Sequence, residues 1–305
     1  MRTGTSYSKE SSKMIMWFMA LLLVVFTAGC DRDHGTTGTV PGTGESSLVA
    51  GHLGAALPYG GFGGSAGMTN SGIQTVIQGD YGTTQTAPTG VTGLHDSAGD
   101  IYTEVPGSNV GSVTGKLYTC TNSTTGPTSL AVNPVSCVIA GDALLAAQAA
   151  YTRLSPAQLP GGTDPSLAGG QLGSLTLAPG VYTTATSFQI TGLTGADDLT
   201  LDAQGDPNAS WVFQMGSTLT VGGASLAESR TVHLINGAQA KNVFWQVGSS
   251  ATINPAGGGT MVGNIIAQTA ITFSTVGSVT VVTLNGRALS LTAGVTTNDT
   301  VINLP

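Results

Sequence analysis

The stretch VFWQVGSSATI, Val243 to Ile253, has a near twin upstream in VFQMGSTLTV, Val212 to Val221. In both, an aromatic residue, a Gln and a Gly precede a run in which Ser or Thr alternates with an apolar residue. Two copies at a period of about 30 residues are the mark of a solenoid, whose coils bury their apolar side only against neighbouring coils. The surrounding chain agrees. From Leu177 to Val301 it reads as strand after strand (VYTTATSFQI, DLTLDA, RTVHLING, TMVGNIIAQTAITF), punctuated by Gly, Asn and Asp. Strand pattern alone allows a β-sandwich or a β-helix, and the repeat favours the β-helix.

The repeated hydroxyls set the chemical question. Aligned on a small residue (Gly216, Gly248, Ala267, Ser290), the coils continue as Ser217-Thr218-Leu219-Thr220, Ser249-Ser250-Ala251-Thr252, Gln268-Thr269-Ala270-Ile271-Thr272 and Leu291-Thr292-Ala293-Gly294-Val295-Thr296. Side chains on a strand alternate faces. Leu219 and Ala251 therefore point inward, and Thr218, Thr220, Ser250 and Thr252 outward. The third and fourth coils drift by one or two residues in this alignment, which predicts a bulge there. Stacked strands lie about 4.8 Å apart and i, i+2 side chains about 6.5–7 Å apart. The product is a flat grid of hydroxyls and methyls, stiff at χ1 and almost free of charge. Two uses fit it. Threonine suits any solvated strand, or the grid orders water and adsorbs to a crystal of it.

Composition narrows the classes. Only 8% of the 305 residues are charged, against a usual quarter, so polar surface must come from Thr, Ser, Asn, Gln and backbone. The formal charge is −7, with no basic patch, which argues against a nucleic-acid binder. Mean hydropathy is +0.22, which argues against a disordered polar chain.

The first 29 residues read as a signal peptide. Arg2, Lys9 and Lys13 precede the apolar run Met14–Phe26, and Thr27-Ala28-Gly29 leads into Cys30. Small residues before a single Cys resemble a bacterial lipobox. That resemblance implies cleavage before Cys30, lipid on its thiol and amine, and attachment to a membrane; an ordinary secretory signal is the other reading. Cleavage removes those three bases and Glu10, leaving the mature chain at −9. Residues 30–48 read as a flexible tether and 49–305 as the folded domain. In an exported chain the two remaining cysteines, Cys120 and Cys137, are expected to pair. A metal site there lacks a nearby His. One helix is expected over about 142–155, capped by Asp142, stopped by Pro156, with Leu144, Ala147, Tyr151 and Leu154 on its buried face.

No catalytic or metal constellation emerges. Gly63-Gly64-Ser65-Ala66-Gly67 matches G-x-S-x-G, yet no helix pattern follows, as a nucleophile elbow requires. His34, His52, His95 and His233 are scattered, without zinc spacing. Asp197, Asp198, Asp202 and Asp206 sit among turn residues and read as Asx turns. The expectation is a protein with no catalytic residue, no metal and no cofactor.

The segments LAPGVYTTATSFQITG, LTLDAQGDPNASWVFQMGSTLT, LINGAQAKNVFWQVGSSATI, GNIIAQTAIT, LNGRALSLTAGVTT and NSGIQTVIQGDYGTT strongly resemble microbial ice-binding proteins of the DUF3494 type. The resemblance covers about Leu53 to Val301, with the pieces in the family's order. It implies a mainly β fold, a discontinuous right-handed β-solenoid of triangular section with one long α-helix packed alongside. It also implies one flat face that binds ice. Carried onto matching strands, that face holds Thr218, Thr220, Ser250, Thr252, Thr269, Thr272, Thr292 and Thr296, with Thr184 and Thr186 as weaker additions. Residues 85–138 resemble the family's capping insertion. The implied partners are an ice crystal surface and, through Cys30, a membrane; a monomer is expected. The rival is a surface adhesin or carbohydrate-binding solenoid, which would need exposed aromatics. Trp211 and Trp245 are the only tryptophans of the mature chain.

Overall fold

Apart from Met1, the computed structural model describes residues 50–274 and 280–305. The expected signal peptide 1–29, Cys30 and the tether 30–48 lie outside the described residues.

From Thr176 onward the chain lays one strand on each of three sides per coil. The first coil runs Thr176–Leu177, Gly180–Thr184, Phe188–Ile190, and the next Leu199–Asp202, Trp211–Met215, Leu219–Val221. Like strands stack in parallel, giving a wide side, a flat side and a short side. In two later coils the short-side and wide-side strands fuse across their corner as Thr260–Ala267 and Val282–Ser290. Gly263 makes that corner possible. It sits at φ +98°, and a β-carbon there would lie 2.7 Å from the Val243 carbonyl oxygen. Gly286 pairs with it in the next coil, where its own β-carbon would run into the Gly263 carbonyl.

The solenoid is discontinuous. The last coil does not end the stack: Ser290 pairs with Gly63, Thr296 with Thr69 and Val301 with Val76. The N-terminal strands thus continue the pile laid down by the C-terminal ones. Two side chains staple this junction. Asp299 Oδ1 accepts from the amides of Ile73 and Gln74 at 2.9 and 2.8 Å. Buried Asn70 donates to the Gly72 and Gly93 carbonyls and accepts from Thr75 Oγ1. Beyond it, strands Val91–Thr92, Leu94–Asp96 and Gly111–Val113 of the insertion close that end of the stack.

The repeated motif has a division of labour. Phe213 and Trp245 stand in register and point inward, stacked with centroids 4.0 Å apart. Such a stack contributes about 0.5–1.5 kcal/mol beyond the area it buries. Val212 and Phe244, one residue earlier, point the other way, into a second apolar cluster beneath the helix. Strands buried on both faces read as unbroken apolar runs rather than alternating ones. Gln214 sends its amide to the Leu154 and Leu159 carbonyls, at 2.8 and 2.9 Å, satisfying orphan groups where the helix ends. The Gly then turns the corner onto the flat side.

Helix α1 spans Pro134–Arg153, eight residues longer at its start than the expected 142–155. Asn133 is its cap, accepting from the amides of Val135 and Ser136, and Pro134 takes the first helical position, where its missing N–H costs nothing. Asp142, the expected cap, lies in the helix interior. Ala147 and Leu154 are buried as expected, Leu144 and Tyr151 only partly, and the rest of the buried stripe is small: Ser136, Ala140, Ala143 and Ala150. Alanines let the helix axis approach the sheet. A Cys120–Cys137 disulfide, Cα–Cα 4.4 Å, ties the first turn of α1 to the capping insertion.

Candidate functional site

The flat side holds seven short parallel strands: Phe188–Ile190, Leu219–Val221, Ala251–Ile253, Ile271–Phe273, Val295–Thr297, Met68–Asn70 and Val91–Thr92. In each three-residue strand the outer two side chains are buried and the middle one faces out. The inward residues, among them Phe188, Ile190, Leu219, Val221, Ile253, Ile271 and Phe273, anchor the strands in the core. Register brings the middle residues into one rank: Gln189, Thr220, Thr252, Thr272, Thr296, Thr69 and Thr92. Six consecutive threonines therefore line a face that carries no ionisable side chain in its rank. Among the described residues, no hydrogen bond engages the hydroxyls of these six.

A second rank lies one corner-ward step away. Amide-to-carbonyl bonds along the strands define it as Ser187, Thr218, Ser250, Ala270, Gly294 and Gly67. Its side chains shrink along the stack, from hydroxyls to bare backbone. Ser187 and Thr218 share a hydrogen bond of 2.8 Å. Thr186, Ser217, Ser249 and Thr269 form a third line along the corner.

The expected residues thus divide. Thr220, Thr252, Thr272 and Thr296 stand in the first rank, Thr218 and Ser250 in the second, and Thr186 and Thr269 on the corner. Thr184 belongs to the wide side, paired with Met215, and reaches the face only through its contact with Thr186. Thr292 sits in a corner loop, with its hydroxyl turned back to the Gln268 carbonyl at 2.6 Å. Thr69 and Thr92 were missed. Both sit in the pattern apolar–Thr–X that the other rank members share (LTV, ATI, ITF, VTT, then MTN and VTG).

The expected drift of the coils is also corrected. Ala267 pairs with Val247, not Gly248, so the third coil keeps the spacing of the second and needs no bulge. The fourth corner is one residue longer, between Ser290 and Val295. The N-terminal corner Gly63–Met68 has the same length and pairs with it, with Ser65 Oγ donating to the Thr292 carbonyl. The G-x-S-x-G match is this corner, and a strand follows it rather than a helix.

The other candidates resolve into structure. Asp202 and Asp206 accept from the amides of Gln204 and Asn208, each at 2.8 Å, as Asx turns. Asp198 pairs with His233 at 2.9 Å. Asp197 caps its own 3-10 turn through Thr194, whose amide and hydroxyl hold that carboxyl below the usual range. Trp211 and Trp245 are both 0% exposed, with their indole N–H groups on backbone carbonyls. Neither is available as a sugar-stacking platform.

A family model described as ice-binding-like matches residues 62–303. The chain belongs to that family. An ice-binding protein of Leucosporidium sp. is 32% identical over 263 residues, covering 83% of this chain and 86% of that one. An ice-binding protein of Nostoc sp. is 46% identical over 130 residues, and the match spans 42% of that protein's length and 43% of this chain. The crystal structure of an ice-binding protein from Antarctomyces psychrotrophicus superposes with a TM-score of 0.59 at 29% identity, covering 83% of this chain and 97% of that one.

Proposed function

We propose that this chain adsorbs to ice through its flat side and so slows ice growth and recrystallisation. The observation that carries the reading is the uninterrupted rank of six outward threonines on a flat, uncharged, rigid sheet. The rank repeats at about 4.8 Å. Methyls on such a lattice order a cage of water, and free hydroxyls pin it. Each contact is weak, but the scaffold is fixed before binding, so little entropy is lost when many engage together. Protein held on the growth front makes ice bulge between anchors, and curved ice melts more readily. The work is adsorption, with no turnover and no cofactor. Membership of the ice-binding-like family and the names of the relatives support the same reading.

Export fits the disulfide, which persists in oxidising compartments. Cleavage before Cys30 would leave a lipid-anchored monomer tied to the cell envelope through residues 30–48. Growth of single ice crystals in a nanolitre osmometer, with residues 31–305, tests the main reading. Faceted crystals and a gap between melting and freezing points are expected. Unshaped discs at high protein concentration, with folding verified by circular dichroism, would overturn it.

A further inference from the structure

The third residue of each three-residue strand on the flat side points into the core. In four successive coils this inward column is apolar: Ile190, Val221, Ile253 and Phe273, each fully buried. The column then turns polar. The next two strands place Thr297 and Asn70 there, in register and just as buried, at 0% and 1% exposure. The change falls where chain continuity ends. Up to Val295–Thr297, a single coil of chain joins each strand to its neighbour and limits their relative level. Asn70 stands 227 residues from Thr297, and no turn joins their strands.

Both ends of the Asn70 amide act at that boundary. Its Oδ1 accepts from Thr75 Oγ1 at 2.7 Å and from Thr297 Oγ1 at 3.3 Å, and Thr75 Oγ1 in turn accepts from the Thr300 amide. Its Nδ2 donates at 3.0 Å to the carbonyl of Gly93, which follows the strand carrying Thr92. One side chain thus links the three strands that hold Thr296, Thr69 and Thr92. Stability alone is a weak reason for it. Nδ2 reaches the Gly93 and Gly72 carbonyls, yet these also accept from the Gly111 and Val110 amides and would stay satisfied without it. A buried polar group in an apolar column acts instead against wrong alignments, because a slip buries it unpaired. A single buried Asn fixes the register of coiled coils in the same way. A slip of one residue is already disfavoured, since it would turn Thr69 inward and Met68 out. A slip of two keeps the faces and sets Ser71 or Gly67 beside Thr296 in place of Thr69.

We propose that Asn70 is a positioning residue for ice contact: it keys the N-terminal strands to the last coil and so places Thr69 and Thr92 in the rank. The proposal rests on the reading of the flat side as the ice-binding face.

The test uses residues 31–305. Asn70→Val with Thr297→Val continues the apolar column without the key. Register is read by Thr69→Cys with Thr296→Cys, because partners on parallel strands stand about 4.8 Å apart, within reach of a disulfide. Ser71→Cys with Thr296→Cys reads the slip of two. On oxidation the first pair should close in the parent and the second should not. In the N70V/T297V background, closure of the first pair should fall about twofold or more while the second rises. Without added cysteines, hysteresis of N70V/T297V should fall to about two-thirds of the parent, as the rank shortens from about 29 Å to about 19 Å. Adding Thr92→Tyr should lower it no further. Tm should stay within about 5 °C of the parent. A lower Tm with unchanged closure of T69C–T296C would make Asn70 merely structural and overturn the proposal. So would parent-level hysteresis in N70V/T297V, even with closure lost, because the N-terminal threonines would then not touch ice. If N70V/T297V does not fold, Asn70→Ser carries the same test, since a serine hydroxyl is too short to hold Gly93 and Thr297 together; parent-like closure and hysteresis in N70S would overturn the proposal. A parent without hysteresis would refute the ice reading itself, and the closure yields would still report on the register.

Discussion

Replacing Thr272 by Tyr should remove most of the effect on ice while leaving the fold intact. Thr272 is the fourth of the seven positions in the first rank, between Thr252 and Thr296. At about 4.8 Å per strand the rank is about 29 Å long. A phenol at its centre leaves two runs of about 10 Å, so the longest unbroken run falls to about a third. A phenol at Thr92, the last position, leaves about 24 Å, or about four-fifths. Thermal hysteresis in a nanolitre osmometer should follow that order, with T272Y at or below about a third of the parent and T92Y near about four-fifths if activity scales with run length. Thr200→Tyr, on the short side, should match the parent. The side chain of residue 272 faces out, so stability should change by no more than about 0.5 kcal/mol. For a domain of this size that is about 1–2 °C in Tm, checked by circular dichroism. Parent-level hysteresis in T272Y, with normal melting, would show that the rank is not the contact.

Three further outcomes follow from the scaffold. Cys120→Ser with Cys137→Ser removes a cross-link over 17 residues and should cost about 3 kcal/mol, lowering Tm by about 6–12 °C, while ice shaping near 0 °C persists. Gly286→Ala forces a β-carbon into the Gly263 carbonyl and should cost about 2–3 kcal/mol in denaturant melts; a neutral result would mean the corner backbone shifts freely. Asp197 and Glu228 are held below the usual carboxylate range by hydrogen bonds, from Thr194 for the first and chiefly the Ser225 hydroxyl for the second. A depressed folded pKa gives stability that is present above the unfolded value and lost as pH falls through the folded one. Tm should therefore be flat down to about pH 5 and drop below about pH 4, while hysteresis of the still-folded protein, whose rank has no ionisable group, stays constant.

The coil repeat was legible because each of its residues has a fixed task. Phe213 and Trp245 fill the interior, Gln214 holds the helix end, and Thr220 and Thr252 face out. What stayed hidden was non-local. Nothing in the linear order of MTN and VTG says that Met68–Asn70 will sit beside Val295–Thr297, so Thr69 and Thr92 were left off the face. The helix start was misjudged because Asn133-Pro134 reads as a loop ending unless it is taken as a cap and a first helical residue. Of the alanine stripe only Ala147 was legible, because alanine marks neither side of a helix until a sheet is laid against it. The apparent drift of the third coil came from pairing Ala267 with a corner glycine rather than with Val247.

The junction between Thr69 and the last coil also sets the order in which the face can come into being. Thr297 Oγ1 meets the Thr69 carbonyl across 228 residues of chain. At ordinary rates of synthesis those residues take about 10–50 s to make, and for that time the N-terminal strands have an edge with no partner. Contacts of such separation are also the slow ones to close. The rank is therefore two half-faces until the final strands arrive, Thr220 to Thr296 on one and Thr69 with Thr92 on the other. A chain that stops short of Val295 would lack the strand that joins Thr272 to Thr69 on the flat side, and a chain exported while still being made would complete that side only after crossing the membrane.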